Sequence, residues 1–315
     1  MISSPKAAKP AAEGASSAVR RFACTSCGRC CTHGPEMALS EATELAGTFI
    51  TTMSVRVYSL PLAKNAKGVA HWSAYQGSSL PPAAALEEQR RHIERFAART
   101  DIDKSRGRSL HLVMSALTLD TRPGRCPALS GALCGIYEAR PLTCRTVPMH
   151  YSRPFSVLAG NLDAFVRIPG HRCDTSAGAP VVLDDQGIAD ASLRQLREDA
   201  INLAASERRW KDEIVAAMQR PEVALAAGLP TYALVLQNSD AGSVTSAPML
   251  AAWRVAKQAG LLSRQAFLDV CRRQAGMIEA ELTRGAGAHT AMLVGMLSDF
   301  EAELRSPVLP SIPHS

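Results

Sequence analysis

No stretch of this chain approaches the roughly 18 uncharged apolar residues that a membrane-spanning helix requires, and the first 20 residues lack the apolar block of a secretory signal. A soluble, cytoplasmic protein with no membrane contact is the expectation. A concentrated basic stripe is missing as well. The formal charge is +6, yet Lys6, Lys9, Arg20 and Arg21 against Glu13 supply +3 of it within residues 1 to 21. The densest later segment, Leu86 to Arg108, mixes seven Lys/Arg with five Asp/Glu. It reads as a solvated, charge-laced helix and loop, so no nucleic-acid partner is expected. No internal repeat stands out beyond helical regularity. A strand-linked glycine-rich nucleotide loop is absent too, because Gly285-Ala286-Gly287 sits between helical patterns.

What is present is a chain of 315 residues, 46% hydrophobic and 20% charged, which is enough to bury a sizeable core and excludes disorder throughout. It carries nine cysteines. A reducing cytosol opposes disulfides and a large core does not need them, so these thiols point to metal binding or thiol chemistry.

The predicted organisation begins with a tail, residues 1–21, whose Ala, Ser, Pro and Lys cannot recover the entropy cost of ordering. Structure starts at Phe22. Ser40 is a candidate cap for a short helix with Glu41 and Glu44 in its first turn. Ser54 to Leu60 alternates as a strand that Pro61 ends, Ala83 to Arg99 has the spacing of a surface helix, and His111 to Leu119 is a second strand. Ser176 to Pro180 reads as a hinge, followed by a short strand to Leu183 and a turn at Asp184–Gly187. Beyond it, apolar residues from Leu193 to Met218 predict one long amphipathic helix, and three shorter helices follow at Met249–Ala259, Ser263–Thr283 and His289–Leu304. The expected fold class is therefore α+β: a cysteine-rich metal-binding domain of short strands and helices over residues 22–176, a linker at 177–187, an all-α domain at 188–306 and a tail at 307–315.

Cys24-x2-Cys27-x2-Cys30 puts three thiols in one turn-rich loop, with Gly28 giving the backbone freedom to wrap a metal centre. It matches the first three ligands of a bacterial ferredoxin run, but the fourth position is Gly34 and an extra thiol stands at Cys31. Adjacent cysteine side chains diverge, so Cys30 and Cys31 serve two different metals, or one metal and one reactive function, more easily than one shared metal. A second group comprises Cys126, Cys134, Cys144 and Cys173. Eight soft ligands can satisfy two four-thiolate centres, as Fe–S clusters or zinc sites, or one cluster with thiols left over, and spacing alone does not choose. Cys271 lies on a helical stripe with Phe267, Val270, Ile278 and Leu282 and reads as core. His33, His150 and His171 lie near cysteines and could each replace a thiolate.

Phe22-x-Cys24-x2-Cys27-Gly28-x-Cys30-Cys31, then Cys126-Pro127-x-Leu129, Cys134-x-Ile136-Tyr137-Glu138-x-Arg140-Pro141-x2-Cys144-Arg145 and Pro148, resembles the zinc- or iron-chelating CxxCxxCC cysteine-cluster domain family, often described as Fe–S-cluster-containing proteins. The resemblance covers about residues 22 to 175, with the stretch between Leu60 and Arg108 standing as an insertion. It implies that Arg140 and Arg145 stabilise a negatively charged thiolate centre as cofactor-binding residues behind the ligands, for which their guanidinium groups are suited. An ion pair or loop clamp is the plainer role for both. Ile136 and Tyr137 read as packing, and Pro141 and Pro148 as stiffeners of the ligand loop.

Three functions remain open at this level. The first is an iron–sulfur protein, with a 4Fe-4S cluster as the leading cofactor, acting in redox chemistry or as an accessory to a modification reaction. The second follows from the family, which includes the flagellin lysine N-methylase: a protein lysine methylase, needing S-adenosylmethionine. Its radical form is not supported, since Cys24, Cys27 and Cys31 give spacings of two and then three residues where that chemistry uses three and then two. The third is a zinc-stabilised interaction module. In each, a protein substrate or redox partner would dock through the helical region.

Overall fold

The computed structural model describes residues 19–62, 80–122, 124–285 and 287–305. The bulk of both predicted tails, part of the predicted insertion and Ala286 lie outside the described residues. The architecture is mixed α and β, as expected, and is built on one long antiparallel pair. Strand β3 (Thr51–Pro61) runs against β5 (Arg108–Thr118) in continuous register from Thr51↔Thr118 to Pro61↔Arg108. Both strands are rich in Val, Thr and Leu, whose side chains suit a pleated surface. Short β2 (Glu36–Met37) pairs the far side of β5, and β4 (Arg99–Asp103) pairs its first half.

Alternation along the strands sorts the two faces. Met53, Val55, Leu112, Met114 and Ala116 point into the main core, while Leu60 and Val113 point the other way. The second face is covered by Leu86 and Ile93 of α2 (Pro82–Glu94), by Phe96 just after it, and by Ala200, Ile201 and Ala204 of α5 (Ala191–Ser206). The main core joins α1 (Leu39–Glu44) to α6 (Arg208–Met218), α7 (Pro221–Ala227), α9 (Met249–Gln258), α10 (Arg264–Arg284) and α11 (Thr290–Arg305). Cover on both faces explains why β5 is buried without interruption from Ser109 to Ala116.

A satellite sheet of β1 (Arg20–Arg21), β8 (Val181–Asp184) and β9 (Gly187–Ile188) packs with α4 (Leu158–Val166) over Phe22, Met149, Leu162 and Leu193. The turn predicted at Asp184–Gly187 closes the β8–β9 hairpin, with Asp184 Oδ1 accepting from the Gln186 and Gly187 amides at 2.9 and 3.0 Å. Arg20 and Arg21, predicted as tail, form β1 because the opposing segment at 181–183 offers backbone partners.

Three expectations need correction. The region after residue 188 is not all-α: Thr245–Pro248 forms β10, which pairs with β3 through Thr245↔Val55 to Pro248↔Thr52 and so extends the sheet, next to α8 (Tyr232–Asp240). The single long helix from Leu193 to Met218 is two. The chain leaves helical geometry at Glu207, whose Oε1 accepts from the amide and hydroxyl of Ser40, each at 2.6 Å. Ser40, predicted as a cap, therefore does other work. Ala38 precedes α1, and its amide donates to Glu41 Oε2 at 2.9 Å. No helix among the described residues is long and apolar enough to cross a membrane.

Candidate metal centre

The N-terminal cysteine loop is anchored by extension of the satellite sheet. Phe22 N–H donates to Pro180 O at 3.0 Å, and Ala23 and Asp174 form an antiparallel bridge through bonds of 2.8 and 3.0 Å. One residue beyond Ala23 and one before Asp174, Cys24 and Cys173 stand opposite each other, as antiparallel register requires. Thr25 Oγ1 donates to Arg172 O at 2.8 Å and continues the pairing. Ser26 (φ 54°) and Gly28 (φ 67°) then take left-handed conformations and curl the loop back on itself. Cys24 Sγ accepts from Ser26 N–H at 3.4 Å.

This curl brings Cys24, Cys27 and Cys30 within electrostatic reach of Cys173. Burial, then the neighbouring charges of Cys30, Cys27 and Cys24, push the Cys173 thiol up. The Cys27 thiol is pulled down, foremost by a backbone bond from Arg29. Donors aimed at sulfur favour the thiolate, the form that binds metal.

Cys31, Cys126, Cys134 and Cys144 form a second gathering. Cys126 N–H donates to Cys31 O at 2.8 Å, which fixes the start of the second cysteine segment on the first. The β6 (Leu129–Ser130) and β7 (Leu133–Cys134) hairpin returns Cys134 opposite Leu129. Gly28 lies so close to this hairpin that a Cβ there would sit 2.6 Å from Ala132 O. Cys144 rides on the short helix α3 (Leu142–Arg145), held where Leu142 N–H donates to Glu41 Oε1 at 2.7 Å and the Thr143 hydroxyl donates to Glu36 O. Burial pushes the Cys144 thiol up to about 12, reinforced by Cys126 and Cys134 and opposed by Arg140. Cys126 is raised by burial, and then by Cys134 and Asp120.

Cys30 and Cys31 join the groups. Their side chains are hydrogen-bonded to each other, Cys31 as the donor: this lowers Cys30 to about 6, with His171 assisting, and raises Cys31. The thiols of Cys24 and Cys30 are exposed and Cys126 is buried. All of these cysteines are free thiols. Among the described residues, no three His, Cys, Asp or Glu side chains already stand close enough together to hold a metal ion. The thiols influence one another electrostatically in two sets joined at Cys30 and Cys31, and neither set is a closed ligand shell among the described residues. Their chemistry nevertheless fits a soft-metal centre, since four thiolates are the donor set of a structural zinc or an iron–sulfur cluster, and such loops close as the metal binds.

The accessory residues divide. The Arg140 guanidinium carbon lies over the Tyr137 ring, 3.7 Å from its centroid, and its Nε donates to Tyr137 O at 2.9 Å, so it acts as a loop clamp as well as a charge near Cys144. Arg145 is exposed in the last turn of α3. Tyr137, predicted as packing, is 50% exposed and supports Arg140 instead. Of the histidines, His171 faces Cys30 electrostatically, while its Nδ1 bonds Phe165 O at 2.9 Å. His33 bonds Asp120 at 2.8 Å, and His150 is occupied by Ser152 and stacks on Tyr151. Cys271 is fully buried in the main core, as its helical stripe predicts.

Sequence reasoning missed Glu41 and Asp120 as parts of this region. Glu41 was read only as a first-turn carboxylate; its role depends on a contact from α3, which no local pattern shows. No protein-family model, curated protein or solved structure matches this chain.

Proposed function

We propose that this chain binds an iron–sulfur centre, of the 4Fe-4S kind, through Cys24, Cys27, Cys30, Cys31, Cys126, Cys134, Cys144 and Cys173, and serves in redox chemistry or as an accessory to a modification reaction. The observation that carries the reading is the division at Cys30–Cys31. The two side chains touch each other, and beyond that contact Cys30 acts on Cys27 and Cys173 while Cys31 feels Cys126 and Cys144. Four soft donors on each side suit two separate centres. The resemblance to the CxxCxxCC family points the same way.

A bound cluster would supply one-electron redox chemistry. The chain's own contribution is to hold thiolates in place, to donate backbone N–H groups to sulfur at Cys24 and Cys27, and to offset negative charge with Arg140 near Cys144. Exposure of Cys24 and Cys30 leaves the first group open to a partner protein.

The test is iron, zinc and acid-labile sulfide per chain in anaerobically purified protein. Iron with matching sulfide is expected. Zinc without sulfide would replace this reading with a zinc-stabilised interaction module, because the same donors suit both metals. Absence of both metals would overturn it.

A further inference from the structure

A second site lies away from the cysteines, in a cleft of about 620 Å³ between the β8–β9 hairpin, Phe155 and the first turns of α5. That volume suits a small organic molecule. Arg197 on its wall is only 7% exposed. Its guanidinium donates to the backbone carbonyl of Arg153, and its Nε has no hydrogen-bond partner. Of its acidic neighbours, Glu198 pairs with Arg95, and Glu88 Oε1 accepts from Ser156 N–H at 3.2 Å while its Oε2 has no hydrogen-bond partner; neither carboxylate forms an ion pair with Arg197. A buried guanidinium without a close carboxylate is costly unless an anion compensates it.

The rest of the lining suits that anion. Arg194 is exposed at the cleft, and its Nε and Nη2 donate to Ile188 O at 3.0 and 2.8 Å, which holds the guanidinium across the hairpin. Asp184 also lines the cleft, its Oδ1 accepting from both turn amides, so its single negative charge stands against the two arginines. Phe155 is 43% exposed, and its ring packs by Cε2 and Cζ against Gly187, within 3.4 and 3.6 Å of where a Cβ would stand. Together these make two cationic groups beside an apolar ring.

We infer that this cleft binds a small organic oxyanion, a phosphate or carboxylate carried on a flat apolar group, with the oxyanion on Arg197 and Arg194 and the apolar part against Phe155 and Ile188. Arginine forks match both oxyanions in geometry. The site is independent of the cysteine groups and stands whether or not they bind metal.

Isothermal titration of the full chain with phenyl phosphate, benzoate and inorganic phosphate tests this. Saturable binding of phenyl phosphate or benzoate is expected in roughly the millimolar range or tighter, with inorganic phosphate weaker for want of the ring. The relative affinity of the first two distinguishes a phosphate from a carboxylate ligand. Arg197→Gln should weaken binding about tenfold or more, as loss of a charge-assisted bond implies. Should that variant fail to fold, Arg194→Gln and Phe155→Ala should each weaken binding in a folded chain. No binding by the wild-type protein would overturn the proposal, and so would unchanged binding in folded Arg194→Gln and Phe155→Ala. The first outcome would assign the Arg197 charge to Glu88, whose Oε2 also lacks a partner, through a trapped water.

Discussion

Ala23 and Asp174 exchange two backbone hydrogen bonds, and this one bridge sets Cys24 opposite Cys173 across more than half the cysteine-bearing sequence. Cys173 joins the first group through that pairing and not through any local motif. Ala23→Pro removes one of the two donors while leaving every cysteine in place. The expected result is a loss of about half the bound metal, because the gathering of Cys31, Cys126, Cys134 and Cys144 does not depend on the bridge. Metal analysis of the variant beside wild type decides it. Full retention would mean that Cys173 reaches its group by another route.

Gly28 tests the contact between the two groups. Its φ of 67° disfavours any side chain, and a Cβ would meet Ala132 O at 2.6 Å, a backbone atom that cannot step aside cheaply. Gly28→Ala should cost about 1–3 kcal/mol from the backbone conformation alone, plus the clash. Gly131→Ala is the comparison. That glycine also has positive φ, but its Cβ would meet nothing within 4 Å, so it should lose less stability and keep its metal. Urea unfolding and metal content of both variants measure the difference; equal losses would show that the Ala132 contact contributes nothing.

These two residues also show where the sequence was readable. The loop Cys24 to Cys31 declares itself by spacing and by Gly28, whereas the contact between the Cys30 and Cys31 side chains runs against the divergence expected of adjacent residues. Strands β3 and β5 are equally open to reading because Val, Thr and Leu fill them. The bridge at Ala23 is not, since backbone pairing between distant segments leaves no mark on residue type. Strand β10 escaped for the same reason: Thr245-Ser246-Ala247-Pro248 has little intrinsic preference, and its pairing with β3 is decided by tertiary context. The break at Glu207 is another case. Apolar spacing runs on through it, and only Ser40, from the other end of the chain, shows why the helix stops.

Gln274 joins α10 to the turn before β3. It is fully buried, its Nε2 donates to Ala46 O at 2.6 Å and Phe49 O at 2.7 Å, and its Oε1 accepts from Thr51 N–H at 3.3 Å. Gln274→Leu leaves these backbone groups without partners, at an expected cost of about 2–4 kcal/mol. The helical part and the sheet share one core, so the loss should lower the midpoint of a single urea transition, seen alike by circular dichroism and by fluorescence of buried Trp253. Two separated transitions would mean that the helices unfold on their own.

Acid should destabilise the sheet through His92 and His111. His92 Nε2 donates to Tyr151 O at 2.7 Å, and His111 bonds Thr100 Oγ1 at 3.1 Å and Ser109 Oγ at 2.9 Å. Burial lowers each to about 4 from an ordinary 6.5, with Arg197 adding to the effect at His92 and Arg90 at His111. Between those pH values the unfolded chain binds protons that the folded one refuses, so stability rises with pH in that window. The contribution is complete above about pH 6.5, declines as pH falls toward 4, and amounts to roughly 3 kcal/mol per histidine. Urea midpoints measured across this range should fall steeply for the wild-type chain and less steeply for His92→Gln and His111→Gln. An unchanged slope in the double variant would assign the acid sensitivity to other groups, and metal content followed in the same samples would show whether thiol protonation is the cause.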